Sequence, residues 1–437
     1  MTIAALMFPA LFVFILAGIP IALSLSIVSA VAGYFVFGEN IFAQLFGSFY
    51  SASTNFILAA IPMFVLMGAI LERSGIAERL FKVMQIWLGR LPGGLAVATI
   101  AMGAVFAAAA GVVGAVEVMI GMMAIPAMQR FRYSNSLISG TICAGGSLGT
   151  MIPPSVIAVM YASLAQMSVG ELLAGMMFPG LVMIAFFIGF LIVHGMIWPP
   201  EKTEASFEIE QISLKEKLTL TLTSLLPIVC LIFAVLGSLL AGIASPTEAA
   251  SVGAVGALAL CIAYGRFSFS MLRESLKITT RISAMILLIV AAGTMFMGAF
   301  AANGGSRLIR STVETAGFGE VGIIIFFLII VFLLGFVLDW TANVLICVPL
   351  FTPIIKQAGI DPVWFGTMVI IVIQTSYLTP PMASSIFYLK SIAPPDMTYG
   401  QMCRGVVPFI LLQLLTLAMV AMFPALSTWL PDQIVGF

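Results

Sequence analysis

Two of the four Pro-Pro pairs in this chain lie within apolar stretches and are surrounded by glycine or hydroxyl residues. The first stretch reads Gly145-Gly-Ser-Leu-Gly-Thr-Met-Ile-Pro-Pro-Ser155, and the second reads Gln374-Thr-Ser-Tyr-Leu-Thr-Pro-Pro-Met-Ala-Ser384. Consecutive prolines remove two backbone donors, and the residue before each proline is pushed out of the helical region. Each stretch therefore predicts a helix that is broken in its middle.

A broken helix within an apolar chain can bind ions. Freed carbonyl groups are tolerated at membrane depth only around a protein-lined cavity, and half-helix ends carry opposite partial charges. An unwound point thus offers carbonyl oxygens to a cation and N–H groups to an anion, as in sodium-coupled transporters. A proline kink that only shapes packing is the alternative for either break alone. Two matching breaks, each within a polar cluster, favour a binding site.

Two further segments, each at the expected tip of a helical hairpin, accompany the breaks. The first, Ala110–Ala115, contains glycines without hydroxyls and can offer only backbone groups. The second, Gly335–Asn343, contains Asp339, which either binds a cation or caps the helix that follows. Glu117 lies just past the first segment in apolar surroundings, and an intramembrane carboxylate is a candidate proton or ion site. Glu248, by contrast, ends a Ser-Pro-Thr-Glu sequence that is typical of a capping box.

Catalytic chemistry has little support in the sequence. The chain has one histidine, His194, near the end of an apolar run where an interfacial anchor is expected, and it has no C-x-x-C motif or phosphate loop. The five cysteines all lie in apolar stretches, as small packing residues do. We therefore expect no enzyme activity, no metal other than sodium and no organic cofactor.

The composition indicates that hydrocarbon surrounds the chain. Of its 437 residues, 62% are hydrophobic and only 8% are charged, against about 25% charged in soluble domains. The apolar runs are much longer than the roughly 10-residue alternating strands of a membrane barrel, so the spans must be helices. The net charge is zero, and no nucleic acid partner is expected.

The two halves of the chain resemble each other. Pro126 lies 27 residues before the first Pro-Pro pair and Pro353 lies 27 residues before the second, which gives an offset of 227. Tyr161 and Tyr388 share this offset. Between the halves, the charged segment Pro199–Lys217 is typical of a water-exposed linker. Internal repeats of this kind are a signature of transporters.

These features predict an all-α integral membrane protein made of two inverted-topology repeats. The first repeat covers residues 1–198, the linker 199–217 and the second repeat 218–437. Each repeat has five crossings, one of them a broken helix, plus a re-entrant hairpin. The expected hairpins and broken helices are at 93–129, 136–165, 321–357 and 362–391. Because five is odd, the two halves must be inverted relative to each other.

The basic residues predict the orientation. In this arrangement only Arg307, Arg310 and Lys356, of 18 Lys and Arg residues, fall on the side opposite the linker. The positive-inside rule then makes the linker cytoplasmic and both termini periplasmic.

An ordered set of motifs resembles one transporter family over essentially the whole chain. The motifs are Ile125-Pro-Ala-Met128, Gly146-Ser-Leu-Gly-Thr-Met-Ile-Pro-Pro-Ser155, Pro246-Thr-Glu-Ala-Ala250, Leu338-Asp339 with Val348-Pro-Leu-Phe-Thr-Pro353, and Leu378-Thr-Pro-Pro381. The combination resembles the large membrane subunit of tripartite ATP-independent periplasmic (TRAP) transporters. The resemblance implies sodium-driven import of organic acids across a bacterial inner membrane by an elevator mechanism. Its implied partners are a small four-helix membrane subunit and a periplasmic substrate-binding protein.

The resemblance also implies site residues at the hairpin tips and the breaks. The implied sodium ligands of the first half are Gly111, Gly114, Gly145, Gly146, Ser147, Gly149 and Pro153. Those of the second half are Asp339, Thr341, Asn343, Thr375, Ser376 and Thr379. Substrate contacts are expected from Thr150, Ser155 and Ser384.

Two departures from the family pattern affect these expectations. Many members have a serine-rich first tip, whereas a sodium site at Ala110–Ala115 would rely on carbonyls. Many members follow the second Pro-Pro pair with Val-Gly, whereas this chain has Met-Ala-Ser-Ser385, which leaves the substrate open. The alternative hypothesis is a stand-alone carboxylate symporter or ion exchanger that needs no binding protein.

Overall fold

The computed structural model describes residues 2–110, 113–199, 213–315, 317, 319–381 and 383–434. All regular secondary structure within these ranges is helical, which confirms the predicted all-α membrane class. Most of the predicted linker, residues 200–212, lies outside the described residues.

The chain begins with five helices that precede the first hairpin. They are α1 (Thr2–Leu16), α2 (Ile21–Phe37), α3 (Ile41–Ser53), α4 (Ala60–Arg73) and α5 (Ile76–Leu88). A 3-10 turn joins α2 to α3, so that the two form one apolar helix of 33 residues. The segments around α4 and α5 are bent by 69° at Gly75, whose φ of 71° is a left-handed conformation that suits glycine.

The next five helices contain the first hairpin and the first broken helix. Hairpin 1 consists of α6 (Gly94–Ala110) and α7 (Val113–Arg130), and the broken helix consists of α8 (Asn135–Ser147) and α9 (Val156–Ala165). Residues 148–155 between α8 and α9 are called break 1. They contain a 3-10 turn and the cis Pro-Pro bond. Helix α10 (Val169–Ile197) completes this half.

The second half begins with a helix that is longer than expected. Helices α11 (Leu214–Leu220) and α12 (Leu226–Leu240) are joined by a π-helical turn into one apolar helix of 27 residues. Ser213 caps it by accepting the Glu216 N–H at 3.3 Å. The sequence Ser213-Leu-Lys-Glu216 is typical of a capping box and predicts a short surface helix, but in the structure this helix is the first turn of a candidate span.

The remaining helices contain the second hairpin and the second broken helix. Three helices come first: α13 (Pro246–Ala263), α14 (Phe269–Ala302) and α15 (Gly305–Thr315). Hairpin 2 is formed by α16 (Glu320–Leu334) and α17 (Trp340–Gln357), and the broken helix by α18 (Pro362–Leu378) and α19 (Ser384–Lys390). Residues 379–383 are called break 2, which also holds a cis Pro-Pro bond. The last helices are α20 (Tyr399–Met422) and α21 (Ala425–Gln433).

Six helices of the described chain are long and apolar enough to cross a membrane, and the bent pair α4–α5 makes a possible seventh. Of the shorter apolar helices, α6, α9, α16 and α18 belong to the hairpins and broken helices. Short helices suit these places, because a re-entrant or broken segment need not reach across about 30 Å of hydrocarbon alone.

Three helical segments were not predicted from the sequence: α3, α5 and α15. Helix α5 buries Leu80 and Phe81 on one face and carries Glu78, Arg79 and Lys82. An amphipathic helix of this kind has no long apolar run, so hydropathy alone does not reveal it. The apolar run in this part of the sequence predicts a span at 282–301, but α14 begins earlier, at Phe269, and is about 51 Å long.

The helices of the two halves correspond in order. Helices α7 and α17 begin 227 residues apart, and so do α8 and α18. The unpredicted α5 and α15 also occupy matching positions. The contacts between the helices show the same correspondence. Helix α2 packs on α14, and their counterparts α13 and α4 pack on each other; likewise α7 packs on α19, and their counterparts α17 and α9 pack on each other. This order supports the predicted repeat, whose inverted orientation stays a prediction.

Candidate transport site

Break 1 is buried, and its hydroxyl groups stabilise the break itself. Ser147 Oγ donates to the Ala144 carbonyl at 2.9 Å, and Thr150 Oγ1 donates to the Ser147 carbonyl at 2.9 Å. Ser155 Oγ donates to the Thr150 carbonyl at 2.7 Å. These bonds occupy carbonyls that the helix no longer uses, which is required in a buried segment. The other predicted site residues of this region, Gly145, Gly146, Gly149 and Pro153, are buried too.

A cluster of side-chain amides meets the end of α8. Gln374 Nε2 donates to Ser147 Oγ at 3.1 Å, and Gln413 Nε2 donates to the same atom at 3.4 Å. All three side chains are fully buried, and the Oε1 atoms of both glutamines have no hydrogen-bond partner among the described residues. The end of α8, directly before break 1, is thereby linked to α18 and to α20 by neutral polar groups.

Hairpin 1 approaches both broken helices. A Cβ atom on Gly103 of α6 would lie 2.8 Å from the carbonyl oxygen of Gly145, so that α6 and α8 touch through their backbones. A Cβ atom on Gly114 of α7 would lie 2.8 Å from the Tyr388 ring of α19. The predicted ligand Gly114 is therefore close to the second broken helix, and Gly111 lies outside the described residues.

Glu117 is fully buried one turn further along α7. Its Oε1 accepts a hydrogen bond from Ser385 Oγ at 2.5 Å, and its Oε2 is buried without a hydrogen-bond partner among the described residues. The side chain lies against Gly146, where any Cβ atom would overlap it. The candidate carboxylate thus connects hairpin 1 with both broken helices.

The tip of hairpin 2 is organised around Asp339. This side chain caps α17 by accepting the Thr341 N–H at 2.6 Å, which realises one of the two roles considered for it. Asn343 is fully buried, donates to the Val331 carbonyl at 2.9 Å and accepts from Cys347 Sγ at 3.2 Å. The amide therefore holds α16 and α17 together.

The hydroxyl groups before break 2 donate to carbonyls of their own helix. Thr375 Oγ1 donates to the Ile371 carbonyl at 2.8 Å, Ser376 Oγ to the Ile373 carbonyl at 2.8 Å, and Thr379 Oγ1 to the Thr375 carbonyl at 2.7 Å. Each hydroxyl oxygen keeps its acceptor capacity, since a hydroxyl has one proton and two lone pairs. The tip of hairpin 2 reaches this segment, because a Cβ atom on Gly335 would overlap the Ser376 side chain.

The residues after break 2 lie near hairpin 1. Ala383 is buried with a left-handed backbone (φ 33°), and Ser384 is half-buried at the start of α19. Ser385, which contacts Glu117, was not among the predicted site residues, and neither were Gln374 and Gln413. The available signal was an uncharged polar residue within an otherwise apolar span, as at Gln413.

Two other sequence interpretations can be compared with the structure. Glu248 forms the expected capping box, in which its Oε2 accepts the Ser245 N–H at 2.7 Å and Ser245 Oγ accepts the Glu248 N–H at 3.3 Å. The His194 ring lies 5.0 Å from the Trp198 ring at the end of α10. Neither residue belongs to the polar centre described above.

The donor set at this centre suits a hard monovalent cation. The available ligands are backbone carbonyls, hydroxyl and amide oxygens and the carboxylates of Glu117 and Asp339, and oxygen ligands are those that alkali and alkaline-earth cations take. Among the described residues, no group of three His, Cys, Asp or Glu side chains could hold a metal ion. Oxygen donors of this kind suit hard cations, and the identity of the cation is left to the proposal below.

Two hairpins and two broken helices around a buried polar centre define a membrane transporter of the secondary class. The fold is similar to that of the Alcanivorax borkumensis YdaH transporter, with a TM-score of 0.64 over 96% of this chain and 98% of that chain. At 15% sequence identity this likeness shows the fold alone.

The sequence comparisons show the family. Residues 8–426 match the model of the tripartite ATP-independent periplasmic transporter, DctM component. The chain is 29% identical to the C4-dicarboxylate TRAP transporter large permease protein DctM of Pseudomonas aeruginosa, over 88% of each chain. It is 28% identical to the ectoine/5-hydroxyectoine TRAP transporter large permease protein UehC of Ruegeria pomeroyi, over 98% of this chain and 99% of that one.

The chain therefore belongs to the TRAP transporter family as a large permease subunit. It is a multi-pass protein of the inner membrane and a transporter subunit rather than an enzyme. Membership in this family implies a periplasmic binding protein and a small membrane subunit as partners.

Proposed function

We propose that this chain imports a small organic acid in symport with sodium, and that a periplasmic binding protein delivers the acid. The observation that carries the proposal is the meeting of both broken helices at Ser147 and Gln374, beside buried oxygens that have no donor among the described residues. Oxygens that lack a donor are available to a cation. The relatives named above carry a C4-dicarboxylate and ectoine in their names, so the proposed substrate class is a small carboxylate.

The proposed sodium sites lie at the two tips and breaks. In the first half the ligands come from Gly114 and from the segment Gly145–Pro153, and in the second from Asp339–Asn343 and Thr375–Thr379. Bound sodium would supply positive charge that offsets the carboxylate of the substrate. The chain's own groups orient these oxygens, since the cap at Asp339 and the hydroxyl bonds at the breaks fix the local turns.

The proposed substrate contacts are Thr150, Ser155 and Ser384. Ser155 and Ser384 lie at the N-terminal ends of half-helices, where N–H groups with partial positive charge attract an anion. Thr150 lies in the 3-10 turn that follows α8 and would contribute its hydroxyl group. Ser384 starts α19 and Ser155 immediately precedes α9, so that an acid between the breaks would face two helix N-termini.

The proposed elevator moves hairpins and broken helices as one body against the remaining helices and the small subunit. A cavity of about 410 Å³ supports a sliding boundary between them. It is lined by Phe8 and Phe300 on one side and by Ile330 and Ile346 of hairpin 2 on the other. The side chains that line this cavity are apolar, so no hydrogen bond has to break at this part of the boundary. At another part, Gln413 of α20 donates to Ser147 of α8 at 3.4 Å, and the movement would have to break that bond.

The proposed orientation places the linker in the cytoplasm and both termini in the periplasm. The charges of α14 support it, because Arg273, Lys277 and Arg281 all lie in its first 13 residues and the part that follows is free of charge. Fusion of alkaline phosphatase to the C-terminus should give high activity in intact cells, whereas fusion within the linker should give none. The opposite pattern would invert the assignment.

The decisive experiment for the function is uptake of radiolabelled organic acids into proteoliposomes. The vesicles hold this chain with its small membrane subunit, and uptake is measured with and without a sodium gradient and the binding protein. Uptake that requires both establishes sodium-coupled tripartite import and names the acid. Uptake without the binding protein would favour a stand-alone symporter, and uptake without a sodium gradient would contradict sodium coupling.

A further inference from the structure

Glu117 occupies a position where three parts of the proposed transport site meet. It belongs to α7 of hairpin 1, its Oε1 is bonded to Ser385 of the second broken helix, and its side chain touches Gly146 of the first broken helix. Glu117 and Ser385 are both fully buried and are 268 residues apart in the chain. No local sequence feature requires this contact, so it is a property of the folded site.

The carboxylate lacks a charge partner in the described part of the chain. The ion pairs found there, Arg73–Glu72 and Lys277–Glu274, do not include it. One serine hydroxyl bonds to Oε1, and Oε2 has no hydrogen-bond partner among the described residues. An ionised carboxylate in this condition is strongly disfavoured unless a cation or further donors compensate it, or the group takes up a proton.

Gly146 has no side chain and so leaves the space that the Glu117 side chain occupies. Any Cβ atom there would overlap the Glu117 side chain, so the last turn of α8 lies directly against it. Backbone carbonyls at the end of α8 carry partial negative charge and are potential cation ligands. The tip Ala110–Ala115 has no hydroxyl residue, and Glu117 lies two residues after the last of these positions.

We propose that Glu117 is the anionic ligand of a monovalent-cation site at hairpin 1, with sodium as the cation, and that Ser385 positions its carboxylate. Oε2 is the ligand atom, and Ser385 Oγ holds the carboxylate through Oε1. This proposal rests on the proposed sodium coupling and adds to it a residue that the tip and break motifs do not contain.

A charged ligand also gives a physical reason why movement of the hairpins and broken helices is tightly coupled to cation binding. Without its cation, a Glu117 that stays ionised would place an uncompensated carboxylate in surroundings of low dielectric constant, where an isolated charge is strongly disfavoured unless the group takes up a proton. With the cation bound, the pair is neutral. Glu117 therefore opposes movement of the empty body and permits movement of the loaded one.

The test is sodium binding to the purified complex of this chain with its small membrane subunit. Thermal unfolding is followed while sodium replaces choline at constant ionic strength, so that the readout is binding and not transport. We expect Glu117→Gln to weaken the apparent sodium affinity by about tenfold or more, since a charged ligand is lost while the shape is kept. Glu248→Gln is the matched control, because an amide preserves its capping box and its carboxylate is remote from the site.

Ser385→Ala provides a second, independent measurement. It removes the group that orients the carboxylate while leaving the charge, and we expect a smaller loss of sodium affinity than in Glu117→Gln. A sodium titration of Glu117→Gln that matches the parent would overturn this proposal and leave sodium coupling standing. Should Glu117→Gln fail to fold, a parent-like titration of Ser385→Ala would overturn the positioning role and with it the proposed site. Absence of any sodium response in the parent would overturn both the site and the sodium coupling.

Discussion

Gln374 Nε2 donates a 3.1 Å hydrogen bond to Ser147 Oγ across a sequence separation of 227 residues. The same separation relates Pro126 to Pro353 and Tyr161 to Tyr388. The bond therefore joins two positions that correspond in the proposed repeat. A two-fold axis relating the halves would pass close to it, which is where transporters built from inverted repeats bind their substrates.

Ser147→Ala should weaken sodium dependence more than it weakens folding. The substitution removes the oxygen that accepts from both Gln374 and Gln413, and these amides then turn away from break 1. The Oε1 atom of each amide has no hydrogen-bond partner in the part of the chain that the structure describes, so the two amides can bond to each other and limit the loss of stability to about 1 kcal/mol. Sodium dependence of uptake and thermal unfolding are both measured.

The control for this prediction is Ser29→Ala in α2. Ser29 is also fully buried, and its Oγ donates to the Leu25 carbonyl of its own helix. Equal sodium titrations of Ser147→Ala and the parent would sink the prediction.

Gly335 lies at the tip of hairpin 2. Gly335→Ala should reduce uptake because the new methyl group overlaps the Ser376 side chain of α18. Overpacking of this kind costs about 1–3 kcal/mol. Ser376→Gly in the same chain removes the obstructing side chain and should restore part of the thermal stability, whereas uptake stays reduced because Ser376 is itself a proposed sodium ligand. The double-mutant cycle is measured by thermal unfolding, with Gly298→Ala as the control, since that glycine of α14 has open space around its Cβ position. Additive effects of the two substitutions would contradict the contact.

Two substitutions of Asp339 should distinguish its role as the cap of α17 from its proposed role as a sodium ligand. Asparagine is as good a helix cap as aspartate, whereas alanine in place of a capping residue costs about 1 kcal/mol. Asp339→Asn should therefore melt like the parent and bind sodium more weakly, while Asp339→Ala should lose both stability and sodium affinity. Thermal unfolding in a sodium titration gives both quantities. Parent-like sodium binding by Asp339→Asn would mean that Asp339 acts only as the cap of α17.

The sequence predicted the parts of the fold that have a local signal. Long apolar runs locate the spans. The pairs Pro153-Pro154 and Pro380-Pro381 locate the breaks, because proline changes backbone geometry wherever it occurs. Helix α5 lacks such a signal because it is amphipathic, and only tertiary packing reveals that its face with Leu80 and Phe81 is buried. Helices α3 and α15 were not predicted from the sequence either.

The candidate site was predictable only to the same extent. Its backbone elements followed from the sequence, and so did the candidate role of Glu117. The partners Ser385 and Gln413 did not, since each contact joins residues that are more than 260 positions apart. Which face of α20 meets α8 depends on close helix packing, and no motif around Gln413 encodes it.

This packing itself gives the last prediction. Helices α8 and α20 approach at Gly140 and Gly405, where a Cβ atom on Gly140 would overlap the Gly405 carbonyl and one on Gly405 would overlap the Ser136 carbonyl. Gly405→Ala should therefore separate the helices and lower the stability by about 1–3 kcal/mol. Gly400→Ala in the same helix has open space and should raise it by up to about 1 kcal/mol, since alanine favours helix over glycine. Thermal unfolding of the purified complex measures both, and shifts of the same sign and size would show that the close approach does not hold Gln413 against Ser147.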